Sequence, residues 1–323
     1  MTLRPDELQL VRRIVVERSA IQLDAGKDYL IETRLETLAR LEGLESAGAL
    51  VEQLRARPDG DAARKIVEAM TTNETSFFRD RVPFDTLRTV VLPQLIASRA
   101  TTRQLTIWCA ASSTGQEPYS IAMTIREHFP ELANWKVQII ATDLSTEVLD
   151  KARTGRYSQL EVNRGLPAEL LLRHFEKDGA RWRLRESVRS MVEFRELNLV
   201  GQWPLFPRLD VVFLRNVMIY FDIASRRLIL GRVAAALARD GYLFLGAGET
   251  TLNIDPSFRR GDEGGGTCFR LDDAGSPSMA PARSTAELGY RDPAPSARPA
   301  PVFATTPRVG AGSIQPHHRG GTS

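Results

Sequence analysis

The sequence predicts an α/β protein that begins with an all-helical region. Apolar residues recur at helical spacing from residue 6 to residue 70. From residue 105 onward, apolar strand-like runs alternate with helical patterns, which is typical of a parallel sheet covered by helices. The first of these runs belongs to Leu105–Ala122, a strand followed by a turn of small residues and a helix start. Such units form the nucleotide-type ligand sites of α/β proteins.

The composition excludes several classes of protein. The 323 residues suffice for two domains, and 42% of them are hydrophobic. The net charge of +3 is spread along the chain without the dense basic excess of a nucleic-acid-binding protein. Both cysteines lie in apolar stretches without zinc-ligand spacing, so we expect buried thiols and no metal site. Because there is no signal peptide and no apolar run near ~18 residues, we expect a cytoplasmic protein without membrane insertion.

Residues 1–71 are predicted to form a helical domain. Charged residues on its helices, such as Arg34 and Arg40, are interpreted as a solvated face, with partner binding as the alternative. The segment 71–81 breaks the helical pattern, because polar residues precede two aromatic residues and Arg79. By itself this segment indicates a helix N-cap followed by core aromatics.

Residues 72–271 are predicted to form the α/β domain. The candidate strands are Leu105–Ala110, Val137–Thr142, Val192–Asn198, Asp210–Leu214, Tyr242–Gly246 and Cys268–Leu271, and the candidate helices are Phe84–Arg99, Pro118–Phe129, Thr146–Arg153 and Ile223–Ala238. An irregular, basic stretch at 155–191 indicates a small inserted β subdomain. Gly264–Gly266 indicates a hairpin connection. The Pro-, Ala-, Gly- and Ser-rich residues 272–323 are predicted to be a disordered tail.

Polar residues follow four successive predicted strands. They are Glu117 beside the first turn, Asp143, Asn198, and the pair Arg215 and Asn216. The carboxyl ends of parallel strands face the ligand, so these side chains are expected to share one site. As alternatives, Asp143 would cap the following helix, and the two asparagines would be turn formers.

The nature of this ligand follows from the acids. Glu117 is unfavourable for a pyrophosphate, whereas Asp143 suits a ribose because a carboxylate accepts two hydroxyl hydrogen bonds. The glycine fingerprint of dinucleotide-binding proteins is absent. S-adenosylmethionine (SAM) fits better, because it has no phosphate and carries a cationic end.

Over residues 5–271, the chain resembles the chemotaxis receptor methyltransferases. The motifs that carry the resemblance are Thr71–Arg79, Ile107–Ser120, Ala141–Asp143, Asn198–Leu199 and Arg215–Phe221. The resemblance implies an N-terminal helical domain joined to a seven-stranded, Rossmann-like SAM-dependent methyltransferase domain with the small β subdomain inserted. One departure is the segment 177–183, which is shorter than in members that grip a receptor's C-terminal pentapeptide, so tight pentapeptide binding is not expected.

The resemblance also implies the site residues. Cofactor-binding residues would be Asn73, Thr75 and Arg79 from the inter-domain segment, Glu117 and Asp143 at the methionine and ribose regions, and Asn198, Leu199, Arg215 and Asn216 around the adenosine. Arg79 and Tyr220 would lie nearest the transferred methyl group and would position the acceptor.

The implied activity is methyl transfer from SAM to glutamate side chains in the cytoplasmic helical region of chemoreceptors, with S-adenosylhomocysteine as product, by a monomeric enzyme. The alternative from another class is a non-catalytic SAM-sensing adaptor. A nucleic-acid methyltransferase is disfavoured because the catalytic Asn/Asp-Pro-Pro-Tyr and Pro-Cys motifs are absent. An NAD oxidoreductase is disfavoured because the glycine fingerprint is absent.

Overall fold

The computed structural model describes residues 3–261 and 267–272, and the side chain of Ala25 is not among the described atoms. The predicted tail, except Asp272, and the predicted connection at Gly264–Gly266 lie outside the described residues. Within the described part of the chain, no helix is long and apolar enough to cross a membrane.

Four helices form the N-terminal region and share one apolar core. They are α1 Pro5–Ser19, α2 Asp28–Leu41, α3 Ala47–Ala56 and α4 Asp61–Ala69. Helix α3 begins with a side-chain cap, in which the Ser46 hydroxyl accepts a hydrogen bond from the Ala49 N–H. Arg34 of α2 donates to the carbonyls of Met70 and Thr71, just after α4, at 2.7 and 3.0 Å. The half-exposed Arg34 side chain is therefore hydrogen-bonded to the end of α4, a contact that the sequence interpretation as a solvated face did not include.

The chain then forms a seven-stranded sheet. The helices around it are α5 Val82–Thr86, α6 Leu92–Ser98, α7 Gln116–His128, α8 Thr146–Thr154 and α12 Ile223–Ala236, and a π-helical turn Leu87–Val91 joins α5 to α6. The strands are β1 Gln104–Ala110, β2 Lys136–Asp143, β6 Val192–Glu196, β7 Leu209–Leu214, β8 Leu237–Leu245, β9 Phe258–Arg260 and β10 Cys268–Leu271.

The strand order is β6-β2-β1-β7-β8-β10-β9, and β10 pairs antiparallel with both of its neighbours while the other pairs are parallel. The chain runs outward from β1 to β6 and returns through β7 on the other side of β1. This reversal creates a topological switch point between β1 and β7, where open α/β sheets bind their ligands.

Alternate residues of β1 face different cores. Ile107 and Cys109 belong to one apolar cluster, whereas Trp108 and Ala110 belong to another. All four side chains are fully buried, so both faces of the strand are covered. This double burial explains why the strand appears in the sequence as a continuous apolar run.

The inserted segment forms a separate three-stranded antiparallel sheet in the order β3-β5-β4. It contains β3 Arg156–Ser158, α9 Gln159–Asn163, α10 Ala168–His174, β4 Phe175–Asp178, β5 Arg181–Leu184 and α11 Glu186–Arg189. A tight turn at Gly179 and Ala180 joins β4 to β5. The small β insertion is therefore present, while the domain boundary after Thr71 stays a prediction.

Some predicted elements were wrong at their ends. The strand predicted to reach Asn198 ends at Glu196, and the helix predicted to reach Ala238 ends at Ala236. Strand β8 begins at the next residue, Leu237, which pairs with Leu209 of β7, so the predicted strand start at Tyr242 is wrong as well. Strand β9 was missed since it has only three residues, two of them arginine.

Candidate functional site

The loop after β1 brings its backbone close to the switch point. Ala111 and Ser113 have φ values of 57° and 50°, and Gly115 has a φ of 91° just before α7 begins. Left-handed backbone at non-glycine residues is costly and concentrates at functional sites. The Ser112 N–H continues the sheet by donating to the Thr142 carbonyl at 2.8 Å. The loop is therefore held in one shape by its neighbour strand.

Asp143 fixes the loop from the end of β2. Its carboxylate accepts hydrogen bonds from the N–H groups of Ser113 at 2.8 Å and Ser145 at 3.0 Å. Burial raises the pKa of Asp143 above its usual value, although the backbone donors oppose this shift. The alternative that Asp143 caps α8 is wrong, because the Thr146 N–H at the start of that helix donates to Glu68 of α4.

A buried ion pair joins the loop after β7 to α7. Arg215 Nη1 donates to Glu117 Oε2 at 2.8 Å, and Arg215 Nη2 donates to Asp80 Oδ2 at 2.7 Å. The Arg215 side chain is 1% exposed and that of Glu117 is 12% exposed. Burial raises the pKa of Glu117, whereas the Arg215 charge lowers it. The pair therefore places a positive and a negative group side by side at the wall of one site, with little exposure of either side chain.

The segment before α5 lies across the loop after β1. The Ser113 hydroxyl donates to the Asn73 carbonyl at 2.8 Å, and Arg79 Nη1 donates to the Glu74 carbonyl at 3.0 Å. Phe77 is fully buried against aromatic residues of the inserted sheet. The interpretation of residues 71–81 as a simple helix cap is wrong, because no helix starts until Val82.

The helical region closes another side of the site. The loop after α1 forms an antiparallel bridge between Ile21 and Phe221, and the Gln22 N–H donates to the Tyr220 carbonyl at 2.8 Å. Asn198 Nδ2 donates to the Arg18 carbonyl at 2.6 Å, while Asn198 Oδ1 accepts from Val200 within its own turn. Asn198 is thus a turn former that also contacts the helical region.

These elements enclose a cavity of about 950 Å³, including the open solvent at its mouth. All ten site residues predicted from the sequence line it: Asn73, Thr75, Arg79, Glu117, Asp143, Asn198, Leu199, Arg215, Asn216 and Tyr220. Lining residues that the sequence did not indicate include Ser19, Ile21, Met70 and Leu144. Ser19 and Ile21 carry no local signal, since only the packing of the helical region brings them to the cavity.

The cavity suits a nucleoside with a charged amino-acid end. Two buried atoms that belong to lining residues, Ser112 Oγ and Arg215 Nε, have no hydrogen-bond partner among the described residues. Because buried polar atoms are normally hydrogen-bonded, these two atoms favour a ligand with polar groups. The acids Glu117 and Asp143 suit an ammonium group and hydroxyl groups rather than phosphates. Within residues 3–261 and 267–272, no group of His, Cys, Asp or Glu side chains is arranged to hold a metal ion.

The sheet order and this cavity define a Rossmann-like enzyme class that binds a nucleoside cofactor at the switch point. Two family models match the chain: the all-alpha domain of CheR methyltransferases at residues 6–71, and their SAM-binding domain at residues 73–261. The chain belongs to the CheR methyltransferase family. Its cofactor is SAM, and it is a SAM-dependent methyltransferase of chemotaxis.

Similar proteins agree with this assignment. The chain is 43% identical to a chemotaxis protein methyltransferase, Cher2, of Pseudomonas putida, over 76% of this chain and 91% of the relative. It is 42% identical to chemotaxis protein methyltransferase 1 of Pseudomonas aeruginosa, over 78% of this chain and 93% of the relative. A solved structure, the glycopeptide N-methyltransferase MtfA complexed with SAM, is 17% identical with a TM-score of 0.32, over 58% of this chain and 57% of that one. This last likeness is too weak to carry an argument.

Proposed function

We propose that the protein transfers the methyl group of SAM to the side-chain carboxylate of specific glutamates on chemoreceptors, producing glutamate methyl esters and S-adenosylhomocysteine. One observation carries the proposal: a guanidinium, Arg79, and a phenol, Tyr220, line the same cavity as the cofactor-type acids Glu117 and Asp143. A cation and a hydrogen-bond donor beside the cofactor are the groups that would attract and orient an anionic acceptor. The names of the chemotaxis relatives agree with such a substrate.

The residues that would hold the cofactor can be assigned by charge. Glu117 would accept from the ammonium of the methionine part, and Asp143 would accept from the ribose hydroxyls. The 2.8 Å contact between Arg215 and Glu117 supports a place for Arg215 at the methionine end, where its cation would meet the carboxylate. This assignment differs from the sequence prediction, which grouped Arg215 with the adenosine.

The remaining polar lining would surround the cofactor on its other sides. Asn198, Leu199 and Asn216 would lie around the adenosine, and Asn73 and Thr75 would contact it from the segment before α5. Ser112 Oγ and Arg215 Nε, both buried without a partner among the described residues, offer further contacts for its polar groups. A cofactor without phosphates matches this acid-containing lining.

In the proposed reaction, the main task of the protein is to position the acceptor carboxylate beside the methyl group. When bound, SAM supplies an electrophilic methyl group on a sulfonium. A glutamate carboxylate has an ordinary pKa of about 4.3, so it is ionised at neutral pH and needs no general base. Arg79 would draw the carboxylate into the cavity, and Tyr220 would donate a hydrogen bond that aims one oxygen at the methyl group. Exclusion of water by the cavity walls would further favour a reaction between opposite charges.

Mass spectrometry of receptor peptides tests the proposal. Receptor-rich membranes of the source organism are incubated with the purified chain and SAM, and glutamate methyl esters are counted with and without the protein. We expect methyl esters to form at specific glutamates only in the complete mixture. Cofactor binding by calorimetry without any methyl ester would instead support the adaptor alternative, and would contradict the proposed function.

Three further expectations belong to the same proposal. The enzyme would act in the cytoplasm, on the helical region of the receptors, as a monomer. The tight turn between β4 and β5 supports the expectation that this chain does not bind a receptor's C-terminal pentapeptide tightly. A turn of this length offers little surface that a peptide could contact. Calorimetry with C-terminal receptor pentapeptides would show micromolar binding if this expectation is wrong.

A further inference from the structure

A buried carboxylate outside the cavity lining organises the loop that carries Tyr220. Glu249 lies just after β8 and is 9% exposed. Its Oε2 accepts hydrogen bonds from the N–H groups of Asn216 and Gly246, both at 2.7 Å. Its Oε1 accepts from the N–H groups of Val217 at 2.9 Å and Met218 at 2.8 Å. One side chain therefore satisfies four backbone donors, three of them in consecutive residues.

The loop needs such a partner because its own backbone cannot satisfy these donors. Asn216 has a φ of 57°, and a 3₁₀ turn follows at Met218–Tyr220. The N–H groups at the start of a helical turn have no partner within it, and a carboxylate is a favoured acceptor there. Tyr220 lies at the far end of this single turn, so the backbone that Glu249 binds leads directly to the phenol.

Glu249 and the loop pack so closely against Gly246 that no side chain fits at this position. A Cβ at this position would lie 2.8 Å from Glu249 Oε2 and 2.6 Å from Asn216 Nδ2. The strand end, the acid and the loop are thus packed as one unit. On the other side, Gln22 of the helical region holds the Tyr220 carbonyl at 2.8 Å.

We propose that Glu249 is a positioning residue, which sets the place of the Tyr220 hydroxyl through the backbone of residues 216–218. The proposal rests on the proposed function, because it concerns how Tyr220 meets the glutamate acceptor. Glu249 is not a catalytic residue. Both of its oxygens are occupied by backbone donors, and the side chain does not line the cavity.

The variant Glu249→Gln keeps the size of the side chain at position 249 but replaces one of its two acceptor oxygens. Glutamine has nearly the same size, but its NH₂ group would face two N–H donors in place of an acceptor oxygen. The backbone of residues 216–218 would then shift away from the NH₂ group of the glutamine, because two donors cannot form a hydrogen bond with each other. A displacement near 1 Å at a positioned group can lower turnover by as much as ~100-fold.

A double-mutant cycle with Tyr220→Phe measures whether the two residues act together. We expect Glu249→Gln to lower kcat about tenfold or more in the wild-type background. In the Tyr220→Phe background the loss should be no more than about twofold, because the hydroxyl that Glu249 positions is already absent. Equal losses in the two backgrounds, or full turnover in either single variant, would overturn the proposal. Glu249→Asp, which keeps the charge, carries the same cycle if Glu249→Gln does not fold.

Hydrogen exchange gives a readout that does not depend on turnover. Amides of the peptide 216–221 should exchange faster in Glu249→Gln than in the wild-type chain, while those of β1 stay unchanged. Unchanged exchange at 216–221 would also overturn the proposal. A matched control is Asp255→Asn, a carboxylate on the same connection that is 8% exposed and accepts from the Ser257 N–H at 2.9 Å. This control should leave both kcat and the exchange of 216–221 unchanged.

The two proposals fail in different ways. If the wild-type chain forms no glutamate methyl ester, the proposed function is wrong, and the exchange measurement alone decides whether Glu249 holds the loop. If the wild-type chain is active but the cycle is additive, only the role of Glu249 is wrong.

Discussion

At Gly165 a left-handed backbone and a very close contact coincide. Its φ is 87°, and a Cβ would lie 2.1 Å from the Phe77 carbonyl oxygen. We therefore expect Gly165→Ala to lower the free energy of unfolding by about 3 kcal/mol or more, since it combines backbone strain with overpacking. Phe77 belongs to the segment that carries Arg79, so methyl transfer should fall as well.

Gly179 offers a matched control for this prediction. Its φ is 60°, but nothing lies within 4 Å of a Cβ placed there. Gly179→Ala should therefore cost about 1 kcal/mol of backbone strain alone. Urea unfolding of the two variants measures the difference. Similar losses of stability in both would mean that the contact with Phe77 is unimportant.

Arg79 and Tyr220 are the residues that the proposed reaction uses to position its acceptor. Tyr220→Phe removes a hydroxyl without emptying the cavity, and we expect kcat to fall about tenfold to 100-fold with less than about threefold change in the SAM dissociation constant. Arg79→Ala removes the cation that attracts the carboxylate, so the KM for receptor should rise and kcat should fall. Initial rates with radiolabelled SAM, together with calorimetry, separate these effects. Wild-type rates in both variants would remove their assigned roles.

The four polar strand ends could be predicted from the sequence because each lies directly beside a short apolar run. Asp143 is the last residue of β2, Glu117 lies in the first turn of α7 after the loop that follows β1, and the parallel pairing of β1 with β2 brings these two positions together. Glu249 could not be recognised in this way. An acid in a glycine-containing turn has many ordinary explanations, and only the folded chain shows the four N–H groups that surround it.

Helix α8 depends on a residue from another element for its N-terminal cap. Its N-cap residue, Ser145, makes no side-chain cap hydrogen bond. Instead, Glu68 of α4 accepts from the Thr146 N–H at 3.2 Å and from the Thr146 hydroxyl at 3.2 Å. This contact ties the helical region to the end of β2 beside Asp143. Sequence reasoning missed it because the two partners are 78 positions apart.

Removal of this cap tests its contribution. Glu68→Ala should lower the free energy of unfolding by about 1–2 kcal/mol, since it removes both an N-terminal acceptor and a charge that favours the helix dipole. Asp61→Ala in the same helix is the control, because both carboxylates pair with Arg64 but the Asp61 side chain is 60% exposed. The control should cost less than about 1 kcal/mol, because Asp61 is an exposed acid in the first turn of α4 that also pairs with Lys65. If the two variants lose equal stability in urea unfolding, the cap contributes nothing beyond its ion pair.

For the whole molecule, the sequence predicted the fold class of each region better than it predicted the contacts between the helical region and the α/β region. The helical periodicity and the strand–helix alternation were sufficient to predict the two kinds of architecture, since each pattern reflects local burial. The contacts of Ile21 with Phe221 and of Asn198 with the Arg18 carbonyl are long-range, and no local pattern encodes them. These contacts make the helical region a wall of the cavity.

Such a wall predicts that cofactor binding stabilises both parts of the protein. S-adenosylhomocysteine at about 100 times its dissociation constant should raise the free energy of unfolding by about 2.7 kcal/mol. Hydrogen exchange should slow at the loops after β1 and β7, and also at residues 19–23, because Ser19 and Ile21 line the cavity. Helix α3 lies in the same helical region without lining the cavity, so its exchange should respond least. Slower exchange only at the loops after β1 and β7 would contradict a binding role for the helical region, because residues 19–23 would then remain as open to solvent with ligand as without it.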